Sequence, residues 1–190
     1  RSVTPRSSAR INTMLGGVVI PPITPPIPGV SGLAVSLAAN TPASTSIPYG
    51  AFNQAITKVN LTAGTEGNVT VSKLTVTRTG LSANTDIDLV KIFDGTIQKG
   101  NGGTLNSNNQ AVFTFTTPLV ISAGTTKTLT ISADLDSAAG TGRTIIFSVA
   151  AATDVISDAS ATTGSATGNP MTIIAVTIVS VTIAEGPSNP

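Results

Sequence analysis

The sequence predicts an all-β fold, a two-sheet β-sandwich with Greek-key connections. Stretches of alternating apolar and polar residues follow one another from Gly32 onward, and such alternation indicates strands with one buried face. Glycine-containing turns interrupt these stretches about every ten residues. No segment between them has the apolar spacing of a helix, so helical and mixed folds are excluded.

The first half of the predicted sandwich contains four strands, over residues 33–39, 49–61, 68–79 and 86–93. The apolar spacing slips by one residue within the second and third of these. In the third, Val69 and Val71 are in register, whereas Leu74 and Val76 are shifted. An extra residue inserted into one strand produces such a slip, so the pattern predicts two β-bulges.

The second half contains four further strand-like segments, over residues 111–117, 118–124, 127–135 and 143–151. The polar segments 100–110 and 157–169 are expected to be loops, and 171–185 is expected to be a last strand with two apolar faces. The phenylalanines are expected to form the centre of the core: Phe52, Phe93, Phe113, Phe115 and Phe147.

The composition favours an extracellular module that is not an enzyme. Only 10% of the residues are charged, the net charge is +1, and the chain contains no cysteine and no histidine. The chain therefore cannot form a serine–histidine–aspartate site, a cysteine–histidine site or an ordinary zinc site, because each of these needs histidine or cysteine. The GNGG segment at 100–103 lacks the lysine of a phosphate-binding loop. The scattered basic residues without stacking aromatics do not form a nucleic-acid surface.

An N-terminal arm, residues 1–29, precedes the predicted sandwich at 30–190. Residues 11–20 are mostly apolar, and the prolines of 21–28 form a stiff hinge. Five prolines between residues 21 and 28 argue against a transmembrane helix. We interpret 11–20 as a strand that inserts into a neighbouring copy, with these candidate polymerisation residues: Ile11, Leu15, Val18, Val19 and Ile20.

Several motifs also resemble the immunoglobulin-like modules that are repeated in large surface proteins of uncultivated bacterial lineages. These motifs are TPAST (41–45), VTVSKLTVTRTG (69–80), DIDLVKIFDGT (86–96), FTFTTPLVISAGTTKTLTISADL (113–135) and RTIIFSV (143–149). The resemblance covers about residues 32–175 and implies an immunoglobulin-like sandwich with a scaffold or adhesive role and no catalytic residue. The extra arm resembles the arrangement of pilins that polymerise by donor-strand exchange.

Two acid pairs at a spacing of two residues are weak candidates for calcium ligands: Asp86 with Asp88, and Asp134 with Asp136. Residues i and i+2 share a face of a strand, and two adjacent carboxylates need a cation between them. Calcium is the cofactor considered, since it binds oxygen ligands. The alternative is that these acids face Lys91 or Lys127.

Strand lysines could also form amide crosslinks with asparagine or aspartate, as happens in some surface proteins. That chemistry needs a buried lysine, a buried asparagine or aspartate and a catalytic acid together. Lys58 and Lys73 lie near the predicted bulges and are the lysines considered for it.

Two functions follow from these patterns. The main hypothesis is a structural subunit of an extracellular, pilus-like filament, whose partners are copies of itself joined by the N-terminal strand. The alternative is an immunoglobulin-like adhesin or surface-layer module cut from a longer surface protein. Any surface or host ligand is left open by the sequence.

Overall fold

The computed structural model describes residues 31–175. The predicted arm 1–29, with its donor strand and proline hinge, lies outside the described residues, as do residues 176–185 of the predicted last strand. Within 31–175 there is no helix long and apolar enough to cross a membrane.

Thirteen strands and two single 3₁₀ turns make up the described part. The strands are β1 (Leu33–Leu37), β2 (Thr45–Pro48), β3 (Gln54–Ala63), β4 (Val69–Thr79), β5 (Ile87–Asp94), β6 (Ile97–Gln98), β7 (Gln110–Ile121), β8 (Thr126–Leu135), β9 (Thr144–Val149), β10 (Val155–Ser157), β11 (Thr162–Gly164), β12 (Ala166–Thr167) and β13 (Met171–Ile174). The 3₁₀ turns are Asn84–Asp86 and Ala152–Asp154.

These strands form two sheets. The first has the order β11-β1-β3-β8-β5-β6. The second has the order β10-β4-β9-β13-β2, with β7 also paired to β4 and β12 paired to β9. Neighbours are antiparallel except for β1 with β11 and β2 with β13, which are parallel. The predicted all-β sandwich of two sheets is confirmed, with more strands than the sequence pattern indicates, and the predicted segments 111–117 and 118–124 are joined in β7.

The core lies between the two sheets. Alternate residues of each strand point inward. On β8 these are Leu129, Ile131 and Ala133, which are fully buried. In the facing sheet Phe147 of β9 is fully buried as well. The long strands of the described part thus bury their inward apolar residues between the two sheets.

Both predicted bulges are confirmed. The register between β3 and β8 shifts between Ala55 and Thr57. The register between β4 and β7 shifts between Val71 and Lys73. The slip in apolar spacing therefore marks a real insertion, because each strand keeps its apolar residues on the core side before and after the shift.

Two local expectations are wrong. Phe52 is 77% exposed, because it lies in the turn before β3 rather than on a strand face. Phe93 is half-buried, whereas the other three phenylalanines are buried as expected. Residues 157–169 are not a simple loop, because small polar residues there still pair as β11 with β1 and as β12 with β9.

The sheet edges in the described part are short or interrupted. At the margins of the two sheets β6 has two residues, β10 and β11 have three each, and β2 has four and ends at Pro48. The long strand β7 pairs with β4 along one side, but this pairing is interrupted. Leu119 lies opposite Val71, whereas Thr114 lies opposite Lys73, only two residues further along β4. Residues 115–118 of β7 thus bulge opposite Ser72, and Pro118 provides no N–H there.

Candidate functional site

Three polar side chains meet on the surface-facing side of the first sheet, and we call them the lysine cluster: Asn53, Lys91 and Asp134. Asp134 lies on the central strand β8, where Leu89 of β5 is its partner. Asn53 directly precedes β3, whose first residue, Gln54, pairs with the neighbour of Asp134. The register of three adjacent strands therefore brings together residues that are far apart in sequence.

The lysine cluster is tightly hydrogen-bonded. The Lys91 Nζ lies 2.5 Å from Asp134 Oδ2 and donates a hydrogen bond to Asn53 Oδ1 at 2.9 Å. The backbone N–H of Asn53 donates to Asp134 Oδ1 at 2.8 Å. Asp134 thus contacts the lysine through one oxygen and the asparagine through the other.

Burial differs among the three members. The side chain of Asp134 is 5% exposed and that of Lys91 is 15% exposed, although both project from the outer side of the sheet. Asn53 lies at the exposed rim with a backbone φ of 50°, a conformation that asparagine tolerates better than most residues. A shallow depression of about 330 Å³ continues from Asn53 along Phe93 and Thr130.

A second group of charges, which we call the arginine cluster, lies around Asp86 at the end of the first 3₁₀ turn: Arg78, Asp86 and Arg143. Asp86 is 3% exposed. It accepts hydrogen bonds from the N–H groups of Ala83 (2.6 Å) and Gly140 (2.9 Å) and from Arg143 Nη1 (2.9 Å). Burial opposes ionisation, but these bonds outweigh it and hold the pKa of Asp86 below its usual range.

Arg78 is the most buried cation of the arginine cluster, at 7% exposure. Its guanidinium donates to Asn84 Oδ1 at 3.0 Å, to Asn109 Oδ1 at 2.8 Å and to the carbonyl oxygen of Ser82. Burial lowers the pKa of Arg78, and the nearby charge of Asp86 partly offsets this. The planar fork of donors is thereby satisfied inside the protein.

The structure does not bring the predicted acid pairs together as calcium ligands. Asp86 is not on a strand and bonds to Arg143, whereas Asp88 is exposed on β5. Asp134 bonds to Lys91, whereas Asp136 follows β8 and accepts from the N–H of Ala138. Within residues 31–175 no group of three or more acids is placed to hold a metal ion.

The alternative interpretation is that these acids face Lys91 or Lys127, and it holds for Lys91 only. Asp134 faces Lys91, as that interpretation expects. Lys127 instead pairs with Asp94, at 2.9 Å. The two buried acids therefore have cations supplied by the protein itself.

The remaining predicted site residues are distributed as follows. The polymerisation residues Ile11, Leu15, Val18, Val19 and Ile20 lie outside the described residues. Lys58 and Lys73 are half-buried on β3 and β4 and are not members of the lysine cluster. The sequence analysis names Lys91 only as a counter-ion and does not single out Asn53, which lies 38 residues away from it.

Comparisons with known proteins do not assign a function to the chain. No family model matches the chain, and no curated protein sequence matches it. The chain is similar to the seventh ScaB type I cohesin of Pseudobacteroides cellulosolvens, with 11% identity, a TM-score of 0.33, and coverage of 80% of this chain and 98% of the cohesin.

The second similar structure is a family 123 glycoside hydrolase from Clostridium perfringens. It has 13% identity and a TM-score of 0.36, over 76% of this chain and 27% of the hydrolase. The chain thus spans about a quarter of that hydrolase. Likenesses this distant carry no functional assignment.

Proposed function

We propose that the chain is a non-catalytic, immunoglobulin-like structural module of an extracellular bacterial surface protein. The observation that carries this proposal is the condition of its sheet edges. Every marginal strand in residues 31–175 is either very short or interrupted. Such edges prevent strand-to-strand association, so the module suits a discrete unit within a larger surface assembly.

The edge of β7 shows how this protection works. A twelve-residue strand with Val112 and Val120 exposed would otherwise present a long ladder of unpaired backbone groups. The bulge at 115–118 and Pro118 divide it into two short pieces. A foreign strand could pair with only a few residues at a time, which is too little for a stable ladder.

The surface composition supports the extracellular assignment. Charged residues make up only 10% of the chain, and in the described part the buried acids Asp86 and Asp134 are neutralised internally. Without histidine or cysteine, the usual nucleophile–base pairs cannot be assembled. A structural role is the simplest use of such a module.

Sedimentation velocity on the complete chain tests this proposal. We expect a monomer whose sedimentation coefficient does not change with protein concentration, and no filaments in negative-stain images. Filaments or a concentration-dependent polymer would contradict the proposal, because they would show that an edge or the arm is used for assembly.

The filament hypothesis is the second candidate, and the apolar segment 11–20 with its proline hinge favours it. In that case the complete chain polymerises, and deletion of residues 1–29 leaves a folded monomer. Val18→Asp and Ile20→Asp should each abolish assembly, because burial of an unpaired charge is costly. Filaments formed by the truncated chain would rule out the arm as the linker.

A further inference from the structure

We propose that Lys91 and Asn53 become joined by an intramolecular amide bond, with Asp134 transferring the protons. This modification is independent of the proposed function, since it needs only the folded module. The lysine cluster supplies the three groups that the reaction requires: an amine, a carboxamide and an acid. Lys91 and Asp134 are largely buried, whereas the carboxamide of Asn53 is exposed and differs in this respect from the buried one that the sequence analysis expects.

The first argument is the position of the amine. The Lys91 Nζ is 2.9 Å from Asn53 Oδ1, and that oxygen is about 1.23 Å from the carbonyl carbon that would be attacked. Groups held at such separations react with very high effective concentrations, because the approach requires no further loss of freedom. The amine and the carboxamide are therefore already neighbours in the folded module.

The second argument is the position of the acid. Asp134 Oδ2 lies 2.5 Å from the amine nitrogen, while Asp134 Oδ1 accepts the backbone N–H of Asn53. The acid is thus oriented by the residue that carries the electrophile. Its side chain is only 5% exposed, so water competes poorly for the transferred protons.

The third argument is the backbone of Asn53. It has a φ of 50°, a conformation that costs energy for any residue with a side chain. The turn containing Asn53 is held in this form by the hydrogen bond to Asp134 and by the N–H of Leu135, which donates to the carbonyl oxygen of Ala51 at 2.8 Å. The carboxamide is therefore fixed above the strand that carries the acid.

The reaction balances without any added reagent. Asp134 first accepts a proton from the Lys91 ammonium, and the neutral amine attacks the carbonyl carbon of Asn53. The bond from Nζ to Cγ forms, and the bond from Cγ to Nδ2 breaks. Asp134 passes this proton to the departing nitrogen, which leaves as ammonia, and then accepts the second proton that Nζ loses as the amide forms. No oxidation or reduction occurs.

Other lysines in the described part lack this combination. Lys127 and Lys99 both pair with Asp94, at 2.9 Å and 3.7 Å, and that site has an acid but no carboxamide in the same contact. Lys127→Arg is therefore a matched control for Lys91→Arg. Both substitutions keep a cation beside a carboxylate, and only one removes the proposed nucleophile.

Intact-mass spectrometry of the complete chain tests the proposal. We expect a mass lower than the sequence mass by one ammonia, about 17 Da, and a branched peptide joining residues 53 and 91 after proteolysis. Lys91→Arg and Asp134→Asn should each restore the full mass of their own sequences. Lys127→Arg should keep the deficit.

Two results would overturn the proposal. The full sequence mass for the unmodified chain would show that no bond forms. A deficit equal to water instead of ammonia, with a branched peptide at residue 134, would show that Asp134 is the electrophile and that Asn53 is not.

Thermal unfolding provides a second measurement. The bond would close a loop between residues 53 and 91 and restrict the unfolded chain. We expect Lys91→Arg to lower Tm by about 10 °C, whereas Lys127→Arg leaves Tm nearly unchanged. An equal, small effect of the two substitutions would contradict a covalent link.

Discussion

The lysine cluster and the arginine cluster have the same kinds of group in different combinations. Each contains a buried acid paired with a cation, Asp134 with Lys91 and Asp86 with Arg143. Each also has a cation that donates a hydrogen bond to the side-chain oxygen of a neighbouring asparagine, Asn53 or Asn84. In one the cation beside the asparagine is Lys91, and in the other it is Arg78. The difference teaches that the identity of one cation separates a site able to react from one that only stabilises.

The chemical reason is protonation. A guanidinium is not deprotonated in proteins and is a poor nucleophile, whereas a lysine can give its proton to an adjacent carboxylate. Arg78 therefore holds Asn84 and Asn109 in place without changing them. Lys91 occupies a comparable position beside Asn53, where loss of one proton is sufficient to allow attack.

The largest expected effect comes from removing the buried guanidinium. Arg78→Ala should lower the free energy of unfolding by about 3–5 kcal/mol, because it leaves the acceptors on Ser82, Asn84 and Asn109 without their donor and removes a charge near Asp86. Arg78→Lys should recover part of this loss, since it restores the charge without the forked donors. Urea unfolding monitored by circular dichroism measures both. A cost below about 1 kcal/mol for Arg78→Ala would mean that the network contributes little.

Removing the charge of the acid should have a smaller effect. Asp86→Asn should lower the free energy of unfolding by about 2–3 kcal/mol, because charge-assisted bonds from Ala83, Gly140 and Arg143 are weakened. Arg143→Ala is the control and should cost about 1 kcal/mol or less, because the side chain of Arg143 is 46% exposed. If the two substitutions cost the same, the backbone donors to Asp86 are not the main contribution.

Acid should remove the contribution of Asp86. Its pKa lies below the unfolded value of about 3.9, so its stabilisation is complete above that value and is lost as the pH falls through the folded pKa. The stability difference between the unmodified chain and Asp86→Asn should therefore be full at neutral pH and shrink in acid below about pH 4. Urea titrations across this range test it, and a difference that grows in acid would contradict the assignment.

The smallest effect is expected at the more exposed pair of Lys127 and Asp94. The Lys127 side chain is 31% exposed, so Lys127→Arg should change the free energy of unfolding by less than about 0.5 kcal/mol. The same urea measurement applies. A larger change would mean that this pair is more than a surface contact and would remove its value as a control.

The sequence could predict the parts of the fold that depend on local periodicity. The slips at residues 49–61 and 68–79 indicated bulges that the structure confirms, because a bulge shifts the apolar residues visibly along one strand. Phe52 was misplaced because hydrophobicity alone does not distinguish a strand face from the turn that precedes it. The pairing of 157–169 was missed because backbone hydrogen bonds do not require apolar side chains.

The lysine cluster could not be predicted in the same way. Its members are distant in sequence and meet only because β3, β8 and β5 are neighbours in a particular register. The sequence analysis states the requirement for a lysine, an asparagine or aspartate and an acid together, and it considers only Lys58 and Lys73 for that chemistry. Register, which depends on the whole sheet, places those groups together at Lys91 instead.

The most direct test of the difference between the two clusters is an NMR spectrum of the complete chain with ¹⁵N at the lysine side-chain nitrogens. An amide bond converts the Lys91 nitrogen from an amine to an amide, and the two types resonate in different regions. We expect one amide cross-peak that is absent from Lys91→Arg and present in Lys127→Arg. A spectrum of the folded protein with only amine signals would show that Lys91, like Arg78, serves only as a buried cation.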